Sequence, residues 1–141
     1  RRVGCICKKA NKMAYRLRNG LPLKGMRILD FTTLLPGPYA GQMLADMGAE
    51  VLRIEHPKRP DMARMAPPMI AEGVSATHAQ INRNKRALSL DLKTEGAKDI
   101  IYELVKKEHG FDVVLEGFRP GVMNKLGLGY EDLKGINSDI S

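Results

Sequence analysis

Residues 26–55 run as an apolar segment, a Pro/Gly break, a helical stripe, a glycine and a second apolar segment, and few architectures accept that order. Met26, Arg27, Ile28, Leu29, Asp30 and Phe31 have the content of a short buried strand. Pro36, Gly37 and Pro38 interrupt the chain, and residues 38–47 then read as a helix carrying Tyr39, Met43, Leu44 and Met47 on one stripe. Gly48 stops it, and residues 50–55 read as a second strand. Strand, helix and strand in about 30 residues form a βαβ unit, which favours a parallel sheet with a right-handed crossover.

The rest of the chain extends that unit. Residues 87–92 alternate and predict a third strand; Thr94 is a candidate cap for the next helix. Ala97, Ile100, Ile101, Leu104 and Val105 fall at helical spacing, a stripe wide enough to cover one sheet face. Residues 112–116 predict a fourth strand, 117–121 a turn, 122–126 a short helix and 130–136 a further helical turn. Between these halves, residues 56–80 hold Pro57, Pro60, Pro67, Pro68 and Gly73, with Met62, Met65 and Met69 scattered without period. A loop of that length is functional or interfacial, and its methionines suit an adaptable surface against a partner. The fold class is α/β, a Rossmann-like parallel sheet with flanking helices.

Charge is distributed unevenly. Residues 1–29 carry nine bases and no acid, whereas 30–141 carry 14 bases and 16 acids. The net charge of +7 therefore describes an N-terminal arm rather than a basic globule. Residues 1–20 read as that arm or as an organellar targeting remnant, which predicts a mitochondrial location, with peroxisomal or cytoplasmic ones as alternatives. An arm touching RNA, anionic lipid or an acidic protein is the other reading. Tyr15 stands alone there, and single-strand binding uses several stacking rings, so nucleic acid is not the expected partner. No apolar run reaches 18 residues, the length of a membrane span. Cys5 and Cys7 make neither a disulfide framework nor a metal site, and no metal is expected.

In open α/β sheets, ligands bind beyond the carboxyl ends of the strands. Four segments are expected to meet there: 32–38, 56–61, 82–86 and 117–121. Asn82, Arg83, Asn84, Lys85 and Arg86 concentrate three cations and two amides, suited to phosphate oxygens. Gly117, Phe118 and Arg119, followed by Pro120 and Gly121, set an aromatic face beside a guanidinium in a rigid turn. The helix start after Pro36 offers a partial anion site, weakened because two prolines lack N–H donors. No glycine-rich dinucleotide fingerprint and no P-loop occurs. Arg53 and Glu55 are expected on an exposed strand face, His56 and His78 at the surface or as caps, and Asp30 in structural hydrogen bonding. No nucleophile–base arrangement emerges, so no catalytic residue is assigned.

Six ordered blocks carry a family resemblance. They are residues 23–30 (LKGMRILD), 35–40 (LPGPYA), 44–51 (LADMGAEV), 82–86 with 90–93 (NRNKR, LDLK), 116–123 (EGFRPGVM) and 126–133 (LGLGYEDL). Residues 21–141 thereby resemble the N-terminal part of the family III CoA-transferases, a group that includes α-methylacyl-CoA racemase. The resemblance implies an incomplete coenzyme A-binding domain over 21–141, with CoA or acyl-CoA as ligand. It places Leu35 and Pro36 at the CoA base and His56 where relatives often carry an arginine for the phosphates. It assigns the remaining contacts to residues 82–86, Gly117, Phe118, Arg119 and Lys125.

The family's catalytic residues, an Asp in the transferases and a His/Asp pair in the racemases, belong to the part of its chain beyond the position of Ser141; Asp139 does not match that Asp. Relatives also form interlocked dimers, so a protein partner is expected. Three functions follow: the CoA-binding portion of a transferase or racemase whose catalytic half lies elsewhere; an inactive remnant serving as a structural subunit of a larger assembly; or a free CoA- or nucleotide-binding module.

Overall fold

The computed structural model describes residues 20–107 and 110–141, so the arm assigned to residues 1–20 lies almost wholly outside the described residues. Four strands form one sheet: β1 (Arg27–Asp30), β2 (Glu50–Glu55), β5 (Lys85–Ser89) and β6 (Val113–Leu115), in spatial order β5-β2-β1-β6 and all parallel. By chain order these are the third, second, first and fourth strands of the sheet. The order reverses between β1 and β6, and that reversal opens a crevice beyond their carboxyl ends.

Helix α1 (Pro36–Asp46) covers one face, while α3 (Ala97–Val105), α4 (Val122–Lys125) and α5 (Tyr130–Ile136) belong to the other side. The larger core collects Leu29, Phe31, Ile54, Ile101, Val105 and Phe111 with Leu128 and Leu133. Ile101 and Val105 are fully buried, as the α3 stripe predicts, and each such side chain contributes about 1.5–3 kcal/mol relative to exposure. The smaller core packs Ile28 and Val51 against Ala45 and Ala49.

Three differences from the sequence-based expectations matter for the site. First, α1 starts at Pro36 rather than residue 38, because a first-turn proline gives up only an N–H that the helix leaves unbonded. Its Tyr39, Met43 and Met47 point outward, 52%, 48% and 38% exposed, and the helix instead buries Pro38, Gly41, Gln42 and Ala45. Gly41 explains why: an added Cβ would lie 2.7 Å from Asp30 Oδ2 and 3.0 Å from Lys85 Nζ, so only the bare backbone fits that close to the sheet.

Second, the segment 56–80 is not one loop. It contains a 3-10 turn (Met62–Met65), a two-stranded antiparallel pair of β3 (Met69–Ala71) and β4 (Val74–Ser75), and helix α2 (Ala76–Ile81), capped by the Ser75 hydroxyl accepting from His78 N–H. Third, the third sheet strand spans residues 85–89 and not 87–92. Its ladder with β2 pairs Lys85 with Val51 and ends where Leu90 N–H donates to Glu55 O at 2.9 Å. Beyond Glu55 the partner strand runs into Pro57, leaving Leu92 nothing to pair with. Thr94 likewise does not cap α3, whose N-cap is Gly96; its hydroxyl donates to Asp91 O instead.

Candidate functional site

A cavity of about 380 Å³ lies at the carboxyl ends of the strands. Phe31 follows β1, Ile54 and Glu55 end β2, Leu90 and Leu92 follow β5, and Phe118, Val122 and Leu126 close it from the β6 side. These residues make an apolar slot with aromatic rings contributed from two sides. Charged groups complete the lining: His56, Arg59 and Asp61 from the segment after β2, and Asp91 and Lys93 from the segment after β5.

The ionic partners within that lining are specific. His56 Nε2 lies 3.3 Å from Asp91 Oδ2, and His56 Nδ1 accepts from Lys58 N–H at 3.0 Å. That pattern puts the imidazole proton on Nε2. The Lys93 backbone N–H, first, and the positive charges of Arg59 and Lys93 hold the Asp91 carboxyl below its ordinary value. The side chains of Arg59 and Lys93 carry no hydrogen bond or ion pair among the described residues. An apolar slot with unpaired cations suits a flat heteroaromatic ring bearing phosphates.

Three of the four expected segments therefore converge, contributing Thr33, then His56, Arg59 and Asp61, then Phe118. The fourth does not. Residues 82–86 enter β5 at the amino end of the sheet, opposite the start of β2, because they precede or open the strand, as they would precede one beginning at residue 87. There the cations are already paired. Lys85 Nζ donates to Asp30 Oδ2 at 2.9 Å, Pro38 O at 2.8 Å and Asn82 Oδ1 at 3.3 Å, which accounts for all three ammonium protons. Arg83 and Asn84 bond the Asp46 carboxylate, and Arg83, first among its partners, holds that carboxyl below its ordinary value. Arg86 faces Glu50 at 3.6 Å.

The segment 90–93 takes the vacated place. Its signal was the alternation of Leu90 and Leu92, read as strand although those side chains line the slot. Of the other assigned residues, Leu35 and Pro36 form the exposed start of α1 beside Thr33, and Gly117 precedes Phe118 in its loop. Lys125 sits exposed on α4 between lining residues, and Arg119 borders a second cavity of about 250 Å³ beside β6 and α5.

The buried network of Arg53 was not expected, whereas the structural hydrogen bonding expected of Asp30 is present. Arg53, assigned to an exposed face, is 2% exposed and bonds Asp61 and His78; His78 is itself buried. The strand alternation is real, but the second face of β2 is covered by residues 61–81, whose structure the proline-rich sequence conceals. Asp30, fully buried, accepts from Thr32 as well as Lys85, a structural role.

The sequence model of CoA-transferase family III matches residues 23–140. A probable fatty acyl-CoA transferase of Mycobacterium tuberculosis is 42% identical over 120 residues, covering 84% of this chain and 30% of that protein. The human succinyl-CoA:glutarate CoA-transferase is 38% identical over 120 residues, covering 85% of this chain and 27% of its own. Among solved structures, the same mycobacterial protein superposes with a TM-score of 0.73 at 44% identity, over 84% of this chain and 31% of that one. A CAIB/BAIF family protein of Brucella suis superposes with a TM-score of 0.73 at 39% identity, over 82% and 31% of the respective chains. The chain thus spans about 30% of the length of the relatives it matches. With the family's pattern running through all four sheet strands and the loops at their carboxyl ends, the chain belongs to CoA-transferase family III.

Proposed function

We propose that this chain binds the coenzyme A moiety of an acyl-CoA thioester in the 380 Å³ cavity, as the coenzyme-binding portion of a CoA-transferase. Acyl transfer itself falls to residues outside the portion of the family shared by this chain. The observation that carries the reading is an apolar slot at the strand-order reversal bearing two cations, Arg59 and Lys93, whose side chains make no hydrogen bond or ion pair among the described residues and act on Asp91 only through their charge. The named relatives support the coenzyme rather than any acyl group: fatty acyl, mesaconate and glutarate differ, while CoA is common to all.

The outward apolar stripe of α1 and the exposed Met62 and Met65, each 75% exposed, favour protein contact at these positions, either with the rest of a family-length polypeptide or with another subunit.

Titration calorimetry with CoA at neutral pH tests the proposal. Arg59→Ala and Lys93→Ala are each expected to weaken binding about 10- to 150-fold, the equivalent of roughly 1.5–3 kcal/mol for a charged hydrogen bond. Arg86→Ala, at the opposite end of the sheet, is expected to leave affinity unchanged. No heat at millimolar CoA, or wild-type affinity in both Arg59 and Lys93 variants, would reject the site.

A further inference from the structure

A chain of buried polar groups links the cavity to helix α2, and the coenzyme reading alone assigns it no role. Arg53 NH2 donates to Asp61 Oδ2 at 2.5 Å, and Arg53 NH1 lies 2.8 Å from His78 Nε2. Arginine only donates, so His78 Nε2 accepts and the imidazole is neutral, with its proton on Nδ1. The Nε of Arg53 is buried without a hydrogen-bond partner among the described residues, so the guanidinium depends on these contacts and on Glu55, whose Oε2 lies 3.9 Å from NH1. Asp61, whose side chain is fully buried, also lines the cavity. It accepts from Ala63 N–H at 2.9 Å and from Leu34 N–H at 3.1 and 3.2 Å.

Leu34 is the strained member. Its φ of +67° lies in the left-handed region, which a leucine enters only when its surroundings impose it. It sits between Thr33, which lines the cavity, and Pro36, which starts α1. The Asp61 carboxylate is the hydrogen-bond acceptor that holds this turn; Arg53 bonds Asp61, and His78 bonds Arg53.

We propose that His78 is a positioning residue for the coenzyme site: through Arg53 and Asp61 it sets the Leu34 turn, and its protonation releases the turn and weakens binding. The inference rests on the coenzyme reading for its ligand but not for its geometry. A protonated His78 would turn an N–H toward the Arg53 guanidinium, removing the acceptor and setting two cations in contact. Facing His78 are Arg53 and Glu55 from β2, Asp61 from the loop after it and Arg64 from the 3-10 turn. Burial first, then Arg64 and Arg53, push the imidazole below its ordinary value, against the opposing pull of Glu55 and Asp61. The neutral form is therefore the one present at pH 7.

Amide exchange at Leu34, as protection factors between pH 8 and pH 5, reads the turn directly, alongside CoA titration over the same range. Far-UV circular dichroism confirms that the chain stays folded. Protection at Leu34 is expected to fall at least tenfold with a midpoint below pH 6.5, and CoA affinity to fall with it. His78→Gln, which offers a non-titrating acceptor near the place of Nε2, is expected to keep protection and abolish both acid steps. His78→Leu is expected to show low protection at every pH. Constant Leu34 protection in the wild type, or an acid step that survives in His78→Gln, overturns the proposal. An acid loss of CoA affinity with Leu34 unchanged overturns it equally. Absence of CoA binding at pH 8 rejects the coenzyme reading instead, and Leu34 exchange still decides the positioning claim.

Discussion

Replacing Lys85 with methionine probes the buried pair under α1. The Lys85 and Asp30 side chains are 2% and 0% exposed, so neither charge has water to fall back on. Burial pulls the Lys85 ammonium below its ordinary value, against the opposing pull of Asp30. Removing one member of a buried pair leaves the other charge uncompensated, at a cost of about 3–5 kcal/mol. The lost hydrogen bond to Pro38 O adds about 1 kcal/mol at most, since helical carbonyls at that position have another donor. Lys85→Met is therefore expected to destabilise the chain by about 4 kcal/mol, a large part of a domain's usual 5–15 kcal/mol. With a urea dependence of about 2 kcal/mol per M, the unfolding midpoint falls by about 2 M. Asp30→Asn combined with Lys85→Met removes the stranded charge while retaining an acceptor for Thr32. That double variant is expected to be more stable than Lys85→Met alone. A midpoint shift under 0.5 M in the single variant, or a double variant at the sum of the two singles, would refute the reasoning.

Gly41→Ala gains about 1 kcal/mol of helix propensity, yet its Cβ would collide with Asp30 Oδ2 and Lys85 Nζ. A net loss of about 1–3 kcal/mol in thermal or urea unfolding is expected, and a stabilised variant would show that α1 can lift off the sheet without penalty. Glu55, held at a pKa of about 2 chiefly by its hydrogen bonds from Arg64, is bound more weakly by protons in the folded than in the unfolded chain. Its contribution to stability is complete above pH 4.5 and is lost as pH falls toward 2, so Glu55→Gln should flatten acid unfolding between those limits; an unchanged acid limb would exclude Glu55 as a contributor.

The sequence alone determined the architecture. Apolar runs of strand length alternating with a helical stripe admit a parallel βαβ sheet and little else, and the α3 stripe from Ala97 to Val105 packs as its spacing requires. The loops after β1, β2 and β6 could likewise be placed, because strand ends are marked by Thr32, His56 and Gly117. What local pattern could not supply was which partner each segment finds. Residues 85–92 contain both a charged and an alternating stretch, and only pairing with β2, which ends before Pro57, decides that Lys85 is strand and Leu92 is cavity wall. Tyr39, Met43 and Met47 form an apolar stripe by spacing, yet the need to close over Asp30 and Lys85 turns the glycine side of the helix inward. Arg53 alternates as a surface residue would until residues 61–81 fold across it and supply Asp61 and His78. Periodicity reports a segment's two faces, whereas the choice between them is made by neighbours distant in the chain, and there the tertiary structure settled the site.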